Sequence, residues 1–298
     1  METCTTIPAN GKSVGLFIIA SLSFLSLSCS QHGANPIASQ QQQFNNPYAY
    51  VGQEHNEGLS YIFQQIKRGG LSVGSVTSEG NLLSEVQGFG IRFLQGKGQG
   101  ELSITQFLSA SETPFRSNKF TVSSDSTETL SGGQREYIDE IYALIDSDSI
   151  QDTTQFFLSL NIIEEQAYNR LGPDSSAIVL VVGSVAHSSA SYWVNNYQDW
   201  EIALSAANGN KRIDVVDSVK VPIEPGSGNG SGIGSAIGPI VGADAQGAIA
   251  GAIGAAATGC AELTLGGCAA LGAAGGALGM SAGQAVSQIW LYYFPNEQ

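Results

Sequence analysis

The last quarter of this chain is nearly chargeless and crowded with glycine, and this restricts its folding more than any other feature. Between Gly226 and Gly283 lie 18 of the 37 glycines, and no Lys or Arg occurs after Lys220. In two stretches, Gly234–Ala257 and Gly267–Gly283, small residues recur at four-residue intervals. On a helix that spacing stacks them into a flat strip against which a second helix can lie closely. Gly238 and Gly242 keep this spacing, and Gly247 and Gly251 share a face with Ala255 and Gly259. In the second stretch Gly272 and Gly276 align with Cys268 and Met280, while Gly279 and Gly283 align with Gly275. Each glycine costs roughly 1 kcal/mol of helix propensity relative to alanine in water. Such helices therefore need a close neighbour or lipid around them. Pro239 is tolerated best in a first helical turn, which predicts that the first arm starts near Gly238.

The opposite end reads as a processing segment. Lys12 precedes an apolar run, Val14–Leu27, that is short for a membrane span and ends at Ser26-Leu27-Ser28-Cys29. These residues resemble a bacterial lipobox, with Ser26 standing where the usual pattern has Leu. The resemblance implies a signal peptide over 1–28 and a lipid on Cys29. It also implies sorting to the outer membrane, with Ser30 in the next position. Residues 29–46, including ASQQQQFNN, form a polar tether. Of the remaining cysteines, Cys260 and Cys268 flank a short turn, and an oxidising envelope permits a disulfide between them. The alternative is two small unlinked residues that happen to be near one another.

Residues 47–207 carry the periodicity of an α-helical domain. Leu59, Ile62, Phe63 and Ile66 share one face of a helix over 54–67, ended by Gly69-Gly70. Weaker patterns predict helices near 79–95 and 101–110, then a Ser/Thr-rich loop. Tyr137, Ile138, Ile141, Tyr142 and Ile145 make a clear stripe over 132–146. Ser149 and Asp152 resemble a capping box for a helix whose stripe is Phe156, Leu160, Ile163, Ala167 and Leu171. After Gly172-Pro173, Asp174 or Ser175 can cap a third helix with an apolar core segment, although IVLVV also suits a buried strand. Residues 208–233 read as a linker containing GSGNGSG, and 234–298 as a glycine-zipper hairpin with an aromatic tail from Trp290. The expected fold class is all-α, a helical domain followed by a Gly/Ala-rich helical hairpin.

Several motifs invite chemistry and do not carry it. Leu130-Ser131-Gly132-Gly133-Gln134 matches the signature pentapeptide of ABC transporter ATPases, yet no phosphate-binding loop accompanies it, and Ser131 is expected simply to start a helix. Glu54, His55 and Glu57 lack the second histidine of a zinc site, and His55 is expected at an exposed helix start. His187 has serines at helical spacing, Ser184 and Ser191, but no orienting group. A satisfied core or rim histidine is expected there, and only a polar cleft with a buried acid facing it would reopen an enzymatic reading. The expectation is no enzyme, no metal and no cofactor.

A net charge of −14 repels phosphate backbones, so nucleic acid is not an expected partner. Over its whole length the chain is similar to uncharacterised Gram-negative lipoproteins with glycine-rich C-termini. That resemblance implies an envelope lipoprotein, lipid-anchored in the outer membrane, and brings no activity with it. Its hairpin is expected to associate with a lipid bilayer or to join copies of the chain into a homo-oligomer. A secreted pore-forming or bacteriocin-like effector is the alternative.

Overall fold

Every regular element in the computed structural model is helical, so the fold is all-α among the described residues. These are residues 44–71, 78–98, 101–111, 130–146, 150, 152–207, 233–257 and 265–293. The helices are α1 (Ala49–Gln65, extended by a π turn over Ile66–Gly70), α2 (Glu79–Gly96), α3 (Glu101–Ser111), α4 (Gly132–Asp146), α5 (Thr153–Leu171), α6 (Pro173–Ala207), α7 (Ile233–Ala257) and α8 (Leu265–Tyr293). All belong to one compact unit, 43–298.

Local chemistry sets the boundaries. The Ser78 hydroxyl accepts from Asn81 N–H and starts α2. At α4 the Ser131 hydroxyl accepts from Gln134 N–H at 3.2 Å while the Gln134 side chain accepts from Ser131 N–H at 2.8 Å. That reciprocal pair is a capping box, which accounts for the ABC-like pentapeptide as a helix start. For α5 the cap is Asp152, whose carboxylate accepts from Gln155 N–H; Ser149 lies outside the described residues. The helix ends at Gly172 (φ 80°), whose N–H returns to the Tyr168 carbonyl, and Pro173 opens α6 in the position where a missing N–H costs least.

One open choice is settled and one expected helix start is moved. IVLVV is helical, and α6 continues unbroken through residues 199–207 to a length of 35 residues. Its Val179, Val182, Val185, Trp193 and Trp200 are all fully buried, and contacts on every side outweigh the β preference of the valines. Helix α7 begins at Ile233, so Pro239 lies inside it rather than in its first turn. Burial of Ile237, Ile240 and Val241 offsets the lost backbone hydrogen bond.

Helices α7 and α8 lie antiparallel, because Gly247 meets Gly276 while Gly251 meets Gly272. Around them pack α1, α2, α3, α4 and α6, with α6 against α7 and α3 along α8. Aromatic contacts tie the surround together: Phe63 stacks on Trp200 at 5.6 Å, and Trp200 lies 5.2 Å from Trp193. Trp290 is buried in this core. By length and hydropathy, α6 (Pro173–Ala206) and α7 (Ala236–Ala255) are sufficient to cross a membrane, yet about two thirds or more of each window is buried inside the bundle (72% and 67%).

Candidate functional site

Two places concentrate polar or close-packed features: the α7–α8 contact and a cleft between α1, α5 and α6. At the first, a Cβ on Gly247 would overlap the Gly276 carbonyl, and one on Gly251 would overlap the Gly272 carbonyl. The converse substitutions meet the same backbone from the other side, and Gly272 also abuts Ala255. Gly279 faces elsewhere, against the Phe107 backbone of α3. Gly242 and Gly283 are buried, and Gly238 has room, with the Ile145 carbonyl 3.8 Å from an added Cβ. Gly247, Gly251, Gly272 and Gly276 thus meet one another, while Gly279 and Gly238 face α3 and α4. Cys29 and Cys260 lie outside the described residues, as does the side chain of Cys268.

A polar knot crosses the same contact. Asp244 of α7 is fully buried, and its Oδ2 accepts from the Ser189 hydroxyl of α6 at 2.5 Å and the Ser281 hydroxyl of α8 at 2.9 Å. Trp193 Nε1 donates to Ser281 at 3.1 Å. His55 Nε2 of α1 lies 3.4 Å from Asp244 Oδ2, without the alignment of a hydrogen bond. His55 is fully buried, contrary to the exposed helix start expected for it, because it shares the inner stripe of Val51, Leu59 and Ile62.

The tautomer of His55 follows from its neighbour. Asn56 Nδ2 donates to the Ser188 carbonyl at 2.8 Å, which leaves Asn56 Oδ1 as an acceptor facing His55 Nδ1 at 3.0 Å. His55 Nδ1 therefore carries a hydrogen. The Ser189 and Ser281 hydroxyls both donate to Asp244 Oδ2, which makes that oxygen the common acceptor of the cluster. The knot joins α1, α6, α7 and α8 at one carboxylate.

The second place is a cleft of about 530 Å3. Asn46, Gln53, Asn56, Glu164, His187 and Ser188 line it, and none of its described lining residues is Lys or Arg. Glu164 of α5 is 6% exposed, and its Oε1 accepts from Asn46 Nδ2 at 2.8 Å; the same amide also donates to the Leu180 carbonyl. Burial pushes the Glu164 carboxyl up to about 7, against a smaller downward pull from the Asn46 hydrogen bond. The chain makes room for this acid, since a Cβ on Gly183 of α6 would overlap the Glu164 carboxylate.

His187 packs on Phe157 with ring centroids 4.2 Å apart and the planes tilted by 32°, and burial pulls its imidazole below the ordinary value. Ser184 is committed to structure, accepting from Gly52 N–H at 3.1 Å where α1 crosses α6. The entry segment closes one side: with its amide oxygen and nitrogen exchanged, Asn161 donates to the Phe44 carbonyl at 3.1 Å and accepts from Phe44 N–H at 3.2 Å. His187 and the buried Glu164 thus line one cleft, with no hydrogen bond or ion pair between them.

The sequence periodicity of α5 puts Ile163 on the inner stripe, whereas Glu164 occupies it, four residues after Leu160 and three before Ala167. An acid at those spacings is the signal the sequence offers. No group of three or more potential metal ligands occurs among the described residues. Comparison with protein-family models, characterised proteins and solved structures returns no match.

Proposed function

We propose that this protein is an envelope lipoprotein, lipidated at Cys29, that holds an apolar glycine-zipper hairpin (α7–α8) within its own helical bundle and uses it for membrane association. The observation that carries the reading is the position of α7 and α8, long helices of small apolar residues enclosed by α1, α2, α3 and α6. Amphipathic neighbours such as α2 and α4 keep their apolar faces on the bundle and their charged faces in water. Such a bundle keeps the hairpin soluble until a bilayer offers its apolar surface an alternative. Membrane association is favoured over a zipper between copies, because Gly247, Gly251, Gly272 and Gly276 already face one another inside one chain.

Deleting the hairpin would remove the core, so the test keeps the chain whole. A full-length Cys29→Ala variant is mixed with phosphatidylethanolamine–phosphatidylglycerol liposomes, floated on a gradient and treated with protease. Flotation with a protected fragment covering 233–293 is expected. A protein that stays at the bottom of the gradient and is digested throughout would overturn the reading.

A secreted pore-forming effector is the second reading, favoured by α6 as a further helix of spanning length beside the hairpin. Release of an entrapped dye from the same liposomes separates the two, since an anchor binds without leakage.

A further inference from the structure

Glu164 is an acid in the wrong place for a merely structural residue. It is buried on the inner stripe of α5, and among the described residues no Lys, Arg or His lies within ion-pair distance of it. The other buried carboxylate, Asp244, has His55 beside it. Buried carboxylates are ordinarily paired with a cation or neutralised by a proton. Glu164 has only the Asn46 amide, and Gly183 leaves space for the carboxylate that any larger residue would take. The group also borders an open cleft of about 530 Å3, within the size range of small-molecule sites.

The remaining lining describes what the cleft accepts. Asn56, Gln53, Ser188 and Ser191 offer amides and hydroxyls, which both donate and accept. His187, packed against Phe157, adds an aromatic ring. With no Lys or Arg in the described lining, an anionic ligand has no charged partner there. We propose that this cleft binds a small primary amine that also carries hydroxyl or amide groups, its ammonium paired with Glu164 and its polar arm held by the Asn, Gln and Ser side chains. Without the amine a proton neutralises the acid, and an entering ammonium replaces it.

Uptake is therefore coupled to proton release below neutrality. Of the elements packed on α5, α6 brings His187 to the cleft, while α4 pairs Glu136 with Arg170 on the exposed side. The lining residues of α1 are Ala49, Gln53 and Asn56, none of which titrates. Glu164 is thus the acid whose proton the amine displaces. The site is independent of the hairpin and its membrane role.

The test uses full-length Cys29→Ala protein and two probes with the same frame, N-acetylputrescine (one ammonium, one amide) and N,N′-diacetylputrescine (two amides, no charge). Calorimetric titrations run at about 0.15 M salt, where long-range attraction to the acidic chain is screened. The amine is expected to bind at least about tenfold more tightly than the diacetyl compound. Glu164→Gln, whose side-chain oxygen still accepts from Asn46, is expected to fold and to abolish that difference. Near pH 6 the heat of binding should vary with buffer as a proton is released to it. Equal binding of both probes, unaltered preference in folded Glu164→Gln, or no binding of the amine would each overturn the proposal.

Discussion

His55 and Asp244 meet with Nε2 and Oδ2 3.4 Å apart, and neither side chain is exposed to solvent. The pair brings α1 to the carboxylate of α7 that Ser189 of α6 and Ser281 of α8 also reach. The two serine hydroxyls that donate to Asp244 offset part of the cost of burying its carboxyl group. Removing one partner is therefore far worse than removing both.

Asp244→Ala leaves the buried His55 ring and the Ser189 and Ser281 hydroxyls without their shared partner, and is expected to lose about 3–5 kcal/mol in urea unfolding. The double variant His55→Leu/Asp244→Leu replaces both polar groups by apolar ones and is expected to recover most of that loss. A double variant as unstable as the single one would show that the pair does not act as a unit.

Gly251→Ala and Gly272→Ala push a methyl group into a backbone carbonyl of the facing helix. Helix propensity returns up to about 1 kcal/mol, but separating the helices costs roughly 1–3 kcal/mol and forfeits neighbouring contacts. A lower thermal midpoint is expected for both. Gly80→Ala is the control: it lies in α2 with open space around an added Cβ, and should raise the midpoint.

These contacts divide what a sequence can disclose from what it cannot. The spacing of Gly247, Gly251, Gly272 and Gly276 is visible in the sequence, because four-residue periodicity is a property of each helix alone. What faces them is not, since register between α7 and α8 depends on the connection over 258–264. The acids beside His55 suggest an exposed helix start, although Val51, Leu59 and Ile62 at spacings of four, four and seven mark its buried face. The α4 stripe, Tyr137 to Ile145, is legible because its burial is one-sided and its period is kept throughout. The cleft is not legible: Asn46, Glu164 and His187 come from three separated segments, and no local pattern announces their meeting.

Ser131→Ala tests the start of α4. The Ser131–Gln134 exchange satisfies two otherwise unpaired N–H groups, and Gln134 Nε2 also reaches the Ser175 carbonyl at the start of α6. Loss of the hydroxyl is expected to cost about 1 kcal/mol in chemical unfolding. Ser131→Asp, which retains an accepting oxygen and adds a charge favourable to the helix dipole, should restore stability. Equal stability of Ser131→Ala and the parent would remove the cap from the account.

Glu164 gives a prediction whose sign is fixed by burial. In the folded chain its carboxyl is raised from 4.5 to about 7, so the folded state holds a proton that the unfolded chain has already released. Stability from this group is complete below about pH 4.5 and is lost as pH rises through about 7. At about 1.36 kcal/mol per unit the loss is on the order of 3 kcal/mol. Glu164→Gln is neutral at every pH and keeps an acceptor for Asn46, so it carries no such slope. Urea unfolding of both proteins across this range is expected to show the variant gaining on the parent as pH rises. A stability difference independent of pH would mean that Glu164 ionises as freely in the folded chain as in the unfolded one.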